Sequence, residues 1–260
     1  MAAAEAKGGS RPKKFGVVVF PGFQALDAFG PLDILNQLSA YFEPTVELCV
    51  LAATRDPVPT RAPRDGKIPA MVQSIVPTHT FADAPGDIEV LLVPGGLGTR
   101  QSEIAQPAVN FIRSAFPGLR YLLTVCTGSA LAAMAGVLDG RRATSNKLAL
   151  EWVSPFYSFL RRQHYIYNQR PTDVEEAADF PDYVQAMSQG PKVEWVREAR
   201  WVTDGNVWTS SGISAGIDMT YAFVADQWGE DVAQEIADRS EYTRQKDSTK
   251  DPFAKKPSSS

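Results

Sequence analysis

The stretch LRYLLTVCTGSALAAM, residues 119–134, decides how this chain is read. Leu119 to Val125 is a short, mostly apolar run with no helical spacing, which reads as a strand buried in a parallel sheet. Its composition then changes abruptly to Cys126-Thr127-Gly128-Ser129 and a run of small residues, which suits a helix packed tightly on that sheet from Gly128 to Val137. Cys126 therefore falls at a strand-to-helix junction. The first N–H groups of a helix lack intrahelical acceptors and carry the positive end of its dipole, so the position favours a thiolate. A sharp turn there exposes a nucleophile at the carboxyl edge of the sheet, as the nucleophile elbow of hydrolases does. Ligands of open α/β sheets bind along that edge. Cys49, inside the strand Glu47 to Leu51, reads instead as an inert buried thiol.

Outward from this junction, strand and helix patterns alternate along nearly the whole chain. Phe15 to Phe20 is an apolar, β-branched run closed by Pro21-Gly22. A helix is predicted from near Gly30-Pro31, with Leu32, Ile34, Leu35 and Leu38 on one stripe, and a second strand over Val46 to Ala52. Residues 53–86 are rich in Pro, Thr and Asp, and their alternating stretch Lys67 to Val76 predicts a hairpin on the sheet's edge. Ile88 to Val93 is a third buried strand, stopped by Pro94-Gly95-Gly96, and Pro107 marks the first turn of the helix that follows. Ala143 to Ser145 predicts a brief strand, with helix from about Lys147. Trp201 to Ser211 predicts a hairpin turning at Asp204-Gly205-Asn206, followed by helices over Ala215 to Trp228 and Glu230 to about Tyr242. Such alternation means βαβ units around a mostly parallel sheet. The expected organisation is a disordered segment 1–14, one α/β domain over 15–242 with an insertion or lid at about 154–192, and a C-terminal tail 243–260.

Composition excludes several functions. A net charge of −4, with the basic runs Arg11 to Lys14 and Lys255-Lys256 short and terminal, leaves no footprint for nucleic acid or an anionic membrane. No apolar run is long enough to span a bilayer, and the first residues lack the apolar core of a secretory signal. Two cysteines form no disulfide framework, which fits a reducing compartment and a cytoplasmic protein. Two histidines, His79 and His164, and two scattered cysteines give no metal-ligand spacing. Trp195, Trp201 and Trp208 are expected to pack the late hairpin; Tyr157, Phe159, Tyr165 and Tyr167 could roof a pocket from the insertion.

Two further segments end at the same sheet edge. Pro94-Gly-Gly-Leu-Gly98 follows a buried strand, and its glycines let backbone N–H groups approach a reacting atom. Neither a dinucleotide fingerprint nor a phosphate-binding lysine motif is complete there. Asp27, in QALDAFGP after the first strand, reads by itself as a helix-capping aspartate.

Taken together, PGFQALDAFGP (21–31), LLVPGGLG (91–98), LLTVCTG (122–128), GRRATSNK (140–147) and SSGISAGID (210–218) resemble the ThiJ/PfpI superfamily. The resemblance implies a fold similar to class I glutamine amidotransferases: a flavodoxin-like three-layer sandwich with a mostly parallel sheet and a cysteine nucleophile elbow. In detail the chain is most similar to the isonitrile hydratases, in which an aspartate of an LD-x-x-GP segment faces the nucleophile and threonine follows the cysteine. The resemblance implies that Cys126 attacks an isonitrile carbon to give a thioimidate, and that Asp27 passes protons and activates the water that releases an N-formamide. The backbone N–H groups of Gly96 and Thr127 would form the oxyanion hole, and the Thr127 hydroxyl would position the water or the carboxylate. It implies a small-molecule partner, no cofactor, and a homodimer. One departure stands out: many members place a histidine where this chain has Ala143-Thr-Ser-Asn146, and Asn146 cannot act as a base. The Cys–His arrangement of peptidase-like, amidotransferase-like and many glyoxalase-type members is thus not met. The alternatives are a thiol-based redox or stress protein, in which Cys126 oxidises without turnover, or a glyoxalase- or amidase-type hydrolase. The ligand-binding domain of a transcription regulator is the remaining reading; no basic patch or helix-turn-helix supports it.

Overall fold

The computed structural model describes residues 10–62, 69–154 and 193–255. Its elements run β1 (Lys14–Val18), α1 (Ala25–Tyr41), β2 (Glu47–Ala52), β3 (Val58–Pro59), β4 (Ser74–Ile75), β5 (His79–Thr80), β6 (Val90–Val93), α2 (Ser102–Ala115), β7 (Tyr121–Val125) and α3 (Gly128–Met134). They continue with β8 (Arg142–Ala143), α4 (Leu150–Val153), β9 (Glu194–Trp195), β10 (Trp201–Asp204), β11 (Val207–Ser210), α5 (Ile213–Trp228) and α6 (Glu230–Arg239).

Seven strands form one sheet in the order β10-β11-β7-β6-β1-β2-β5, parallel except for the β10–β11 hairpin. The strands of its centre are apolar without alternation because both faces are covered: Val17, Val18, Val90, Leu91, Leu122 and Val125 are fully or almost fully buried. Helices α1, α5 and α6 pack together on one face, and α2 and α3 on the other. On the first face Phe223 of α5 meets Phe15, Tyr121 and Trp208 edge-on, so one side chain ties β1, β7 and β11 to the same helix. The result is the flavodoxin-like sandwich. Strand order reverses beside β1, and the ends of β1, β6 and β7 stand side by side at the place where such sheets bind ligands.

Several local expectations change. Helix α1 starts at Ala25, not near Pro31, which sits buried inside it. The start is fixed from outside the helix, by the Gln24 N–H donating to Gly95 O at 2.7 Å; Pro31 forfeits only one intrahelical bond. Asp27 consequently lies in the first helical turn. The hairpin expected on the sheet's edge is β3 with β4, paired to each other and not to the sheet, and the edge is the two-residue β5 beside β2. Pro59 has no N–H to offer an edge. Helix α4 begins at Leu150 rather than Lys147, because the Asn146 side chain first captures the Leu148 and Ala149 N–H groups in a turn.

The described residues next to both ends, 10–14 and 243–255, are held by the domain. Lys14 already pairs in β1, and the Lys13 N–H donates to Glu89 Oε2 at 2.6 Å. Beyond Tyr242 the chain packs back on the domain rather than trailing away: Gln245 N–H donates to Asp218 Oδ1 at 3.0 Å, Arg200 N–H to Ser248 O at 2.8 Å, and Asp251 N–H to Glu198 O at 3.0 Å. The expected insertion, with Tyr157, Phe159, His164, Tyr165 and Tyr167, lies outside the described residues, save Ser154 at its start.

Candidate active site

Cys126 leaves β7 with φ +58°, a left-handed conformation that costs a non-glycine residue about 1–2 kcal/mol. Four hydrogen bonds over-determine the turn. The Cys126 N–H reaches Ser211 O (2.8 Å) and Ser210 O (3.2 Å), while its carbonyl accepts from the Ser129 and Ser145 hydroxyls, each at 3.0 Å. The side chain is thereby turned out of the sheet edge, and the residue is only partly buried.

The loop after β6 approaches this turn so closely that only glycine fits. A Cβ on Gly95 would stand 2.5 Å from Thr127 N and 3.0 Å from Cys126 Cβ. The same loop is laced to the one after β1 by the antiparallel bridge Phe23–Gly96. Asp27, with 0% exposure, is delivered between them, and its Oδ2 accepts the Gly95 N–H at 3.1 Å. Among the described residues its Oδ1 has no backbone or side-chain donor in ordinary hydrogen-bond geometry, and the thiol of Cys126 stands against the carboxyl.

The electrostatics follow from this burial. Dehydration raises the Asp27 carboxyl to about 7, against the opposing influence of the Gly95 N–H and the Cys126 thiol. Dehydration also pushes the Cys126 thiol well above its ordinary value, and the facing Asp27 charge adds to the rise; the Thr127 N–H and the Asn146 side chain oppose it. Burial and the Asp27 charge thus work against the thiolate expected from the helix terminus. Helix α3 has only seven residues, so the N-terminal turn that follows Cys126 is a short one. The resting pair is a thiol beside a carboxyl that titrates near neutrality.

Thr127 and Gly96 are both present, in roles that differ from the expected ones. The Gly96 N–H donates to the Thr127 hydroxyl at 2.9 Å, so it is already occupied by the protein. That hydroxyl lies 3.2 Å from Thr99 Oγ1, which in turn donates to Gly96 O at 2.7 Å. The Thr127 side chain therefore locks the elbow to the glycine loop, while the Thr127 N–H remains directed at the Cys126 sulfur. Asn146, set aside in the sequence because it is no base, is the additional side chain beside the thiol. The stretch carrying it was visible, but a reading that sought a proton acceptor overlooked a donor.

The other candidates lie elsewhere. His79 is in β5, four strands from β7 and so roughly 19 Å away at ordinary strand spacing. Trp201 and Trp208 are buried in the core, and Trp195 packs with Trp152 against Ala149 and Val153. Cys49 lies in β2, its thiol pushed up chiefly by burial.

Known proteins share this architecture. An isonitrile hydratase from Pseudomonas putida is 30% identical over 229 residues, covering 88% of this chain and 78% of its own length. A crystal structure of a ThiJ/PfpI family protein from Pseudomonas syringae superposes with a TM-score of 0.62 at 25% identity, over 94% of this chain and 83% of that one. Drosophila melanogaster DJ-1beta, at 18% identity, shares the fold with a TM-score of 0.58 over 89% of this chain and 99% of its own. Residues 13–226 match the DJ-1/PfpI family throughout, and the chain belongs to that family.

Proposed function

We propose that the chain hydrates an isonitrile to an N-substituted formamide, with Cys126 as nucleophile and Asp27 as the proton carrier. The observation that carries this reading is the fully buried Asp27 carboxyl, held by the Gly95 N–H beside the Cys126 thiol and raised by burial to about 7. A general base is most effective when its pKa lies near the working pH, and the chain's likeness to an isonitrile hydratase supplies the substrate class.

The chemistry balances around those two groups. The Asp27 carboxylate takes the proton from Cys126 Sγ as sulfur bonds to the terminal isonitrile carbon. The same proton is delivered to that carbon, giving the thioimidate R–N=CH–S–Cys126. Asp27, again ionised, takes a proton from a water whose oxygen adds to the carbon, and passes it to nitrogen. Collapse of the R–NH–CH(OH)–S adduct breaks the C–S bond, releases R–NH–CHO and returns the hydroxyl proton to sulfur. The Thr127 N–H supports the negative charge that sulfur carries on attack and on departure. Thr127's hydroxyl holds the Gly96 loop in place for both steps.

The redox or stress reading is weaker, because oxidation to sulfenic or sulfinic acid proceeds from a thiolate and this thiol is raised by burial and by Asp27. Acid quenching during turnover followed by mass spectrometry tests the covalent step. The peptide containing Cys126 gains the whole mass of the isonitrile, since the addition expels no atom; turnover with unmodified Cys126 in every quench and undiminished activity in Cys126→Ala would rule it out.

A further inference from the structure

The segment after β8 carries a donor that the proposed reaction does not yet use. Thr144 to Lys147 is held rigidly: the Thr144 N–H donates to Thr209 Oγ1 at 2.8 Å, and Ser145 Oγ to Cys126 O at 3.0 Å. Lys147 Nζ donates to Ala199 O at 2.6 Å and to Thr144 Oγ1 at 2.9 Å. Between them sits Asn146, only partly buried, at the same sheet edge as the thiol.

Its amide orientation is fixed by chemistry. Oδ1 accepts the Leu148 N–H at 3.0 Å and the Ala149 N–H at 3.3 Å, a task that the NH₂ group cannot perform. Nδ2 therefore points the other way, past Gly212, where an added Cβ would come within 3.3 Å of it. In that direction lies the Cys126 turn, whose carbonyl accepts from Ser145 Oγ at 3.0 Å and whose N–H reaches Ser211 O, next to Gly212, at 2.8 Å; the Asn146 side chain opposes the rise of the thiol there. Asn146 thus joins two functions in one planar group: a carbonyl that caps the next turn and an NH₂ that faces the nucleophile.

We infer that Asn146 is a catalytic residue: its Nδ2–H donates to Sγ of Cys126 and stabilises the negative charge there when sulfur attacks carbon and again when it leaves. The inference deepens the proposed hydration and rests on it for the substrate, but the hydrogen bond itself can be tested without any isonitrile. Hydrogen bonds to charged groups are worth more than neutral ones because the charge is concentrated on the acceptor. Asp27 is the titratable group that faces the thiol, and Asn146 is the uncharged side chain that opposes it.

Asn146→Asp separates the two functions. An aspartate still offers an oxygen to the Leu148 and Ala149 N–H groups, yet it cannot donate to sulfur when ionised. Asn146→Ala removes the donor without adding charge. In a Cys49→Ser background, iodoacetamide alkylation then reports Cys126 alone, and its rate against pH reports the ionisation of that thiol. The expected result is a melting temperature for Asn146→Asp within about 3 °C of the parent. Its alkylation profile moves at least one pH unit to the alkaline side, and isonitrile turnover falls about 10- to 100-fold. Asn146→Ala shows the same direction, with a smaller displacement. Parent-like alkylation profiles in both variants overturn the assignment, whatever the turnover. Displaced profiles in a protein that never hydrates an isonitrile uphold Asn146 as the donor and overturn the proposed reaction instead.

Discussion

The Gly95 N–H donates to Oδ2 of Asp27 across 3.1 Å, so the carboxyl that faces the nucleophile is oriented by a backbone group from the neighbouring strand end. One glycine accomplishes two things there: its amide aims the acid, and its missing side chain admits Thr127 to contact distance. The pairing of a buried acid with a half-buried thiol sets the demands of stability against those of chemistry at this edge.

Asp27→Asn should separate those demands. The folded-state value of about 7 lies above the ordinary 3.8, so between those pH values the folded protein binds more protons than the unfolded chain. This group's stabilising contribution is complete below about pH 4 and is lost as pH rises through 7. The shift corresponds to an upper bound of about 4 kcal/mol. Asparagine carries no charge to bury, so the variant is expected to gain stability over the parent at pH 8 and to lose that advantage near pH 4. Turnover should fall about 100- to 10,000-fold. Paired denaturant titrations at the two pH values read the stability; a variant less stable than the parent at pH 8 would contradict the account.

The same titration shapes the rate. The carboxylate form of Asp27 takes the thiol proton, so kcat/KM is expected to climb as pH rises toward 7 and to level off above it. A profile flat from pH 5.5 to 8 excludes Asp27 as the base.

Gly95→Ala tests how tightly the strand ends meet. The new methyl would stand 2.5 Å from Thr127 N, backbone that cannot rotate away, and 2.6 Å from the Thr127 Oγ1 side-chain atom. Overpacking of this kind costs about 1–3 kcal/mol, and activity should fall with it because the Asp27 and Cys126 loops are forced apart. Gly86→Ala, where an added Cβ meets nothing within 4 Å, is the control and should be neutral in a denaturant midpoint measurement.

Much of this was legible in the sequence. Cys126 could be placed because an apolar run, a change to small residues and a single cysteine coincide at one junction. The position of Asp27 and of the glycine loop after two other strands placed both at the same edge, whereas the role of Asp27 was implied only by the family resemblance. Less legible were features set by distant partners. Pro31 looked like a helix start because the bond from Gln24 to Gly95, which starts α1 earlier, joins two separate loops. The thiol's ionisation depended on how dry the site is, a property of the assembled sheet edge. Residues after Tyr242 have a tail's composition, yet Asp251 finds Lys147 at 3.6 Å in a nearly closed environment.

That last contact gives a further prediction. Burial lowers Lys147 to about 8, and Asp251 opposes the fall. From pH 8 to 10.5 the unfolded chain holds more of this proton, so Lys147's contribution to stability rises with pH across that window. Asp251→Asn leaves a buried ammonium without its counter-charge and is expected to destabilise the fold by about 3–5 kcal/mol at pH 7. The loss should shrink by pH 10 in thermal melts; a pH-independent loss points to packing alone.

Incubation of the protein and its Cys126→Ala variant with one alkyl and one aryl isonitrile, following N-formamide by NMR, tests the central claim most directly. Many formamide molecules per protein, and none above background from Cys126→Ala, is the predicted result. No turnover of either isonitrile, or equal turnover by both proteins, would contradict it.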